Sequence, residues 1–212
     1  MSFYNRSDSE FTDHYREEVD MVFSGLDCAL HRGHVIYASS ELTTGLRLYE
    51  ELRKYNLKTA DELEEQLGKP WYQAHIRDPN VQSAIEFAEA IRSTLRDDTI
   101  VITPAPFFAA GWRQPEYLAF WELLLRTRVK SVRFNTNWQF SNGCTFEFAV
   151  AEDAGLPTFD QNGSPLPRKA GIELIETAIQ RLESHGFDAS KLRENLDRLL
   201  AIPAPLGEAS LA

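Results

Sequence analysis

Side chains that form disulfides or metal clusters are scarce in this sequence. The 212 residues include two cysteines, Cys28 and Cys144, and five histidines. Two cysteines are too few for a disulfide framework or a cysteine-rich zinc site. None of the histidines has the spacing of a metal pair carried on one helix face. The sequence therefore predicts a protein without a bound metal.

Basic clusters and long apolar runs are also missing. The net charge is −10, and the longest basic stretch is residues 126–130. Long nucleic acids are bound through many Lys and Arg contacts to phosphates, so this class of partner is excluded, whereas small phosphorylated ligands are not. No apolar run approaches the roughly 20 residues that span a bilayer, and residues 1–13 lack the apolar core of a signal peptide. We expect a cytoplasmic protein that does not bind membranes.

Glycine-rich phosphate loops are absent as well, but an alternation of strands and helices is present. Apolar runs predict strands at 35–39, 99–103, 129–134 and 156–159. Helical patterns between these strands cover residues 44–55, 59–67, 80–96, 115–126 and 141–154. Such an alternation is typical of βαβ units. It predicts a flavodoxin-like or Rossmann-like α/β fold, a parallel sheet sandwiched by helices.

Polar residues follow the predicted strands where each one ends. Ser39, Thr103 and Asn135 stand at three of these ends. Ligands of open parallel sheets bind beyond the carboxyl ends of the strands. The sequence therefore places a ligand site at this edge.

The tail of the chain has a different character. A turn-rich linker at 160–168 precedes two amphipathic helices at 170–185 and 189–201, which break at Gly186. We predict an α/β domain over residues 1–166. A helical hairpin over 167–202 would pack on that domain or on the partner in a homodimer.

The segment from Ser141 to Glu147 is the strongest indicator of function. A Ser141 side chain capping a helix would leave the first free N–H groups pointing outwards, which forms an anion site. Gly143 lies four residues before Glu147, so it would open a hollow on the face of that carboxylate. Asn142 belongs to the same turn. A phosphate cradle beside an accessible carboxylate suits a glycosidase that acts on nucleotides.

The pattern Ser-x-Gly-x-x-x-Glu, followed by small residues and Gly155-Leu156-Pro157, resembles the nucleoside 2-deoxyribosyltransferase superfamily. The closer likeness is to its branch of 2'-deoxynucleoside 5'-phosphate N-hydrolases. The resemblance implies that Glu147 is the nucleophile on the anomeric carbon. In the hydrolase branch a serine six residues before the nucleophile holds the 5'-phosphate, and the resemblance implies this role for Ser141. The transferases, which act on unphosphorylated nucleosides, tend to carry an aspartate at this position. No organic cofactor is implied.

The resemblance extends to the first strand, residues 35–40. It implies that Tyr37 lies near the nucleophile and that Ser39 and Ser40 line the sugar or phosphate pocket. The usual glycine of this loop is missing, and Glu41 stands near the place where some relatives have a serine. Family members also have an acidic residue about two dozen positions before the nucleophile, for which Glu122 is the candidate. The segments 56–79 and 134–140 have no counterpart in the family.

Two loops are candidates for contact with a base. In residues 134–140, Asn135 can read a base edge and Trp138 can stack on its face; alternatively, these aromatic residues seal the edge of the sheet. Trp112, which follows the second strand, is a candidate for the opposite wall.

Together these features predict hydrolysis of the N-glycosidic bond of a (deoxy)nucleoside 5'-monophosphate through a glycosyl-Glu147 intermediate. Transfer of the deoxyribosyl group to another base is the first alternative. The second is a nucleotide-binding or sensing module without turnover, and the third is a protein that only makes interactions. Base identity, the sugar and the pathway are not determined by the sequence.

Overall fold

A four-stranded parallel sheet forms the centre of the protein. The computed structural model describes residues 13–30, 34–95 and 99–203. Its strands are β1 (His34–Ser39), β2 (Thr99–Ile102), β3 (Val129–Phe134) and β4 (Thr158–Phe159). They lie in the order β2-β1-β3-β4, and each neighbouring pair is parallel. This is the flavodoxin-like order, in which the winding reverses between β1 and β3. The predicted fold class is confirmed.

Helices cover the sheet and extend beyond it. They are α1 (Asp13–Leu30), α2 (Leu46–Tyr55), α3 (Ala60–Leu67), α4 (Lys69–Tyr72), α5 (Asp78–Ser93), α6 (Gln114–Thr127), α7 (Asn142–Asp153), α8 (Arg168–Ser184) and α9 (Ser190–Ala201). A π-helical turn, Gln73–Arg77, joins α4 to α5, and a 3₁₀ turn, Trp138–Phe140, precedes α7. No helix within the described ranges is both long and apolar enough to cross a bilayer.

The two faces of β1 are buried against different helices. Ile36 and Ala38 pack with Phe87 and Ile91 of α5. Val35 and Tyr37 belong instead to the large core that includes residues of α6 and α7. Side chains alternate between the faces of a strand. Ser39 consequently shares the face of Tyr37, and both are directed to the side of the sheet that α7 covers.

The predicted elements agree with the structure to within a few residues at most ends. Strand β4 begins at Thr158, two residues later than predicted, because residues 156–157 make no ladder beyond one backbone hydrogen bond, from Val132 N–H to the Pro157 carbonyl at 3.0 Å. Helices α1 and α4 and the π-helical turn were not predicted. Residues 1–12, used for the prediction about a signal peptide, and Arg96, the predicted end of a helix, lie outside the described residues.

The C-terminal helices form the predicted hairpin and pack on α7 of the same chain. Gly186, with φ +72°, ends the first helix, and the Phe187 N–H donates to the Leu182 carbonyl at 3.0 Å. Gly171 lies so close to Phe148 that an added Cβ would be 2.2 Å from the ring. A side chain at this position would separate α8 from α7.

Candidate functional site

Glu147 lies one turn inside α7, beneath the surface and 6% exposed. Both of its carboxylate oxygens accept a hydrogen bond from β1. The Tyr37 hydroxyl donates to Oε1 at 2.6 Å, and the Ser39 hydroxyl donates to Oε2 at 2.6 Å. Two short bonds to a rigid, buried strand fix the rotamer of the carboxylate. The structure therefore brings three predicted site residues into direct contact.

The first turn of α7 has the predicted cap. The Ser141 Oγ accepts from the Cys144 N–H at 3.4 Å. The Gly143 N–H lies in the same turn, where helix geometry supplies no intrahelical acceptor. A Cβ added to Gly143 would find its nearest neighbour, the Ser141 Oγ, 3.9 Å away. The space next to Gly143, four residues before Glu147, is open as predicted.

Burial dominates the electrostatics of the site. It raises the pKa of Glu147 from 4.5 to about 7, although the hydrogen bonds from Ser39 and Tyr37 act in the opposite direction. Burial, followed by the charge of Glu147, raises the pKa of Tyr37 well above its usual value, so this residue remains a donor. Burial likewise raises the pKa of the Cys144 thiol. Cys144 is therefore a neutral packing residue at neutral pH.

The loop of residues 40–45 connects the site to α2. The Thr44 Oγ1 accepts from the Asn142 N–H at 3.1 Å and shares a 3.5 Å hydrogen bond with the Ser141 Oγ. Glu41 accepts the N–H of Leu46 on its Oε2 at 3.0 Å. The amino ends of α2 and α7 consequently meet at this loop.

Ser40 carries a buried hydroxyl without a hydrogen-bond partner among the described residues. The residue is 6% exposed, directly after Ser39 in β1. A buried hydroxyl without a partner costs free energy. This hydroxyl, one residue after Ser39, is therefore a donor available to an incoming ligand.

Two residues that the sequence did not indicate, Tyr72 and Asn80, hold this loop. The Tyr72 hydroxyl donates to the Thr43 carbonyl at 2.6 Å. The Asn80 side chain donates to the Leu42 carbonyl at 3.1 Å and accepts from the Arg47 Nε at 3.0 Å. Tyr72 belongs to segment 56–79, so that segment helps to shape the site. No local pattern would have revealed contacts to backbone carbonyls about 30 residues away.

Another unpredicted residue comes from the hairpin. Asn195 of α9 is buried and donates through Nδ2 to the Asn142 carbonyl at 3.0 Å and to the Thr145 Oγ1 at 2.9 Å. It thus fastens the first turn of the helix that carries Glu147. The sequence around Asn195 carries no sign of this role.

Asn135 also lies at the site. Its N–H donates to the Ser39 carbonyl at 2.9 Å, across the carboxyl ends of β1 and β3. This point is where the winding of the sheet reverses, the usual place for ligands in such folds.

Other predicted residues lie elsewhere. Glu122 accepts from the Arg126 Nε at 2.9 Å, and Arg126 also pairs with Asp153 at 2.8 Å, which joins α6 to the far end of α7. Trp138 is 4% exposed and packs between Phe134 and Phe148. The structure thus places Trp138 where the alternative interpretation, aromatic residues sealing the sheet, expected it. Roles of Glu122 and Trp138 towards a base stay predictions.

Trp112 belongs to an aromatic cluster after β2. Its ring lies 5.8 Å from Phe107 and 5.4 Å from Tyr117. This cluster continues through Trp121 to the ring of Tyr37, 5.8 Å away. The cluster thus packs against the ring of Tyr37 through Trp121. Contact of Trp112 with a base stays a prediction.

Two surface hollows lie apart from this carboxylate. They lie beside α9 and between α2 and α8, and neither lining includes Glu147. Within the described ranges, no group of three or more His, Cys, Asp or Glu side chains is arranged to hold a metal ion.

Comparisons with protein-family models, with curated proteins and with solved structures find no match to this chain.

Proposed function

We propose that this protein cleaves the N-glycosidic bond of a nucleoside 5'-monophosphate or of the corresponding nucleoside, with Glu147 as the nucleophile. The observation that supports this most strongly is the placement of Glu147, whose two oxygens accept 2.6 Å hydrogen bonds from Tyr37 and Ser39. A carboxylate held in one orientation at the switch point of the sheet is suited to attack a bound sugar. The resemblance at Ser141 to Glu147 supports the same chemistry.

The reaction is a retaining double displacement. A Glu147 oxygen forms a bond to the anomeric carbon while the bond from that carbon to the base nitrogen breaks. The departing base takes the electron pair and a proton from solvent. Water then attacks the anomeric carbon of the glycosyl ester and returns a proton to solvent as the bond from that carbon to the Glu147 oxygen breaks. The products are the sugar, or the sugar phosphate, and the Glu147 carboxylate. Each step balances without a further reactant.

The hydrogen bonds from Tyr37 and Ser39 serve this chemistry in two ways. They hold the carboxylate in one rotamer, and they oppose the effect of burial on its pKa. A pKa of about 7 keeps a large ionised fraction at neutral pH, in a site where little water competes for the carboxylate. Attack requires this ionised form.

The first turn of α7 is the proposed contact for the phosphate. Ser141 caps it, and the Gly143 N–H has no intrahelical acceptor. The Ser40 hydroxyl belongs to the loop that bonds to this turn through Thr44. Both donors suit a phosphoryl oxygen at the positive end of a helix. Thr44 bonds the loop of residues 40–45 to this turn. We therefore expect the loop to move when substrate enters.

Transfer of the sugar to a second base is a second candidate function. The burial of Glu147 favours it, because exclusion of water leaves a base as the acceptor that resolves the glycosyl ester. A cytoplasmic location and a homodimer also remain proposals.

The test is detection of free base by chromatography after incubation with ribo- and deoxyribonucleosides and their 5'-monophosphates. A parallel set contains an added acceptor base, so that transfer is also detected. We expect release from at least one substrate and a fall of about 10⁴-fold in Glu147→Gln. Exposed Glu176, on α8, provides the matched control, and Glu176→Gln should retain full activity.

Two results would contradict the proposal. Turnover in Glu147→Gln that equals the wild type would remove this residue from the mechanism. Ligand binding without any product would instead identify a nucleotide-sensing module.

A further inference from the structure

The amino end of α2 already holds an oxyanion supplied by the chain itself. Glu41 reaches forward five residues, and its Oε2 accepts the N–H of Leu46, the first residue of the helix, at 3.0 Å. Free N–H groups at a helix start are the groups that bind phosphate oxygens in many proteins. An internal carboxylate therefore stands where a phosphoryl oxygen would accept.

The backbone at Gly45 is shaped around this carboxylate. Gly45, the cap of α2, has φ +143°, a conformation that favours glycine. A Cβ added there would lie 2.0 Å from the Glu41 Oε2 and 2.5 Å from its Cδ. The Glu41 side chain thus lies directly against the bare Cα of Gly45. This close fit indicates a defined position for the carboxylate rather than a chance surface conformation.

The same loop joins this carboxylate to the proposed phosphate contact on α7. Thr44 is bonded to both Ser141 and Asn142. The Ser40 hydroxyl, one residue before Glu41, is 6% exposed and has no partner among the described residues. The loop of residues 40–45 thus contacts the first turns of α2 and α7 and contains a buried hydroxyl without a partner. Glu41 gives this loop a negative charge.

We propose that Glu41 is a specificity-determining residue that competes with the phosphate of the substrate. The ionised carboxylate excludes a phosphate monoester from the shared end of α2 and α7. A protonated Glu41 carboxyl group, or a Glu41 side chain that has rotated out of the loop, allows the phosphate to bind there. This inference rests on the proposed function, because it decides whether the same site accepts the nucleotide or the nucleoside.

The surroundings of Glu41 set when it is ionised. Burial raises its pKa from 4.5 to about 7, and the hydrogen bond from Leu46 and the charge of Arg47 oppose this rise. The charged or titratable groups that interact with it are Arg47 and Glu50 on α2 and Cys144 on α7. Preference for the phosphorylated substrate should consequently decrease as pH rises through about 7.

The first experiment compares kcat/KM for a monophosphate with kcat/KM for its nucleoside at pH 6 and pH 8.5. Glu41→Gln keeps an oxygen for the Leu46 N–H and removes the charge. At pH 8.5 this variant should raise the ratio of the two values about tenfold or more, by analogy with the cost of like charges in close contact. Exposed Glu176 on α8 is again the control, and Glu176→Gln should leave the ratio unchanged. An unchanged ratio in Glu41→Gln would overturn the proposal.

The second experiment does not need turnover. Inorganic sulfate keeps its charge between pH 6 and 8.5, and its binding can be followed by calorimetry. Glu147→Gln serves as the background, so that Glu41 is the remaining acidic side chain near the loop with a pKa of about 7. Sulfate should bind about tenfold more weakly at pH 8.5 than at pH 6. The additional Glu41→Gln substitution should abolish most of that difference.

The outcomes separate the two proposals. Sulfate binding that is absent, or that has the same pH dependence with and without Glu41, would overturn the role of Glu41. The predicted sulfate result without base release from any substrate would instead contradict the glycosidase and leave Glu41 as the determinant of anion binding.

Discussion

At the residue scale, the burial of Glu147 and the hydrogen bonds from its two donors have opposite effects on the pKa of this carboxyl group. Burial favours the neutral carboxyl, whereas the hydroxyls of Tyr37 and Ser39 favour the carboxylate. A hydrogen bond to a charged group contributes about 1.5–3 kcal/mol, and one pKa unit corresponds to about 1.4 kcal/mol. Each donor is therefore strong enough to move the pKa of Glu147 by about one unit or more.

Replacing Tyr37 by Phe isolates one of these donors. The ring and its contact with Trp121 are retained, and only the hydroxyl is lost. We expect the pKa of Glu147 to rise by about one unit or more. The acid limb of the pH–rate profile should then move to higher pH, so activity falls more at pH 6 than at pH 8.5. Infrared titration of the Glu147 carboxylate band measures the same shift without turnover.

Tyr117→Phe is the control, because the Tyr117 hydroxyl contacts the backbone of Ala109 instead. The profile of this variant should match the wild type. If Tyr37→Phe also retained the wild-type acid limb and carboxylate titration, the hydroxyl would have no part in setting the state of Glu147.

At the element scale, the contact between α7 and α8 depends on a residue without a side chain. Gly171 lies inside α8, and the ring of Phe148 that it touches is fully buried and cannot withdraw. In Gly171→Ala, better helix propensity would add about 1 kcal/mol, but overpacking costs about 1–3 kcal/mol. We expect a net loss of up to about 2 kcal/mol in the free energy of unfolding, measured with urea.

Gly25 of α1 provides the matched control. An added Cβ there would meet nothing within 4 Å. Gly25→Ala should therefore leave stability unchanged or raise it by about 1 kcal/mol or less. Equal effects of the two substitutions would show that Phe148 does not limit the approach of α8.

Elements with a strong local pattern were predictable. Strands β1 and β2 are apolar runs, and the start of α7 follows from Ser141, whose side chain caps the helix as expected. Helix α1 was missed, although its buried residues Val19 and Leu30 lie on one face with the partly buried Phe23 and Leu26, at helical spacing. That pattern is visible in the sequence without the structure.

The support of the site was not predictable in the same way. Tyr72 and Asn195 bond to backbone carbonyls that are far away in the chain, and a single polar residue carries no sign of such a partner. The burial of Trp138 also depends on tertiary packing, since an aromatic residue in a polar loop suits a ligand wall equally well. Local chemistry could identify the carboxylate and its cap, whereas long-range contacts determine what surrounds them.

At the scale of the whole molecule, two buried carboxyl groups link stability to pH. The pKa values of Glu41 and Glu147 are raised from 4.5 to about 7. Between these values the folded chain binds more protons than the unfolded chain, so the free energy of unfolding falls as pH rises. The decrease ends above about pH 7. Each group can contribute up to about 3 kcal/mol.

Glu147→Gln should therefore gain stability relative to the wild type as pH increases. Urea unfolding at pH 5 and pH 8 measures this difference, in which all other titrating groups cancel. We expect the advantage of the variant to be about 2–3 kcal/mol larger at pH 8. Glu176→Gln should show no such change. An advantage that is the same at both pH values would mean that Glu147 ionises normally in the folded protein.

The bond from Asn195 to Asn142 spans 53 positions of the chain. Chains are synthesised from the amino end, and their segments begin to fold in that order. The four strands and the whole segment from Ser141 to Glu147 are consequently made before α9 exists. Until α9 is synthesised, the first turn of α7 lacks the two hydrogen bonds that Asn195 donates. The residues of the site are thus synthesised well before all the contacts that hold them can form. We expect a ribosome-bound chain that ends after α8 to contain an ordered sheet and a Glu147 carboxylate that is less firmly held.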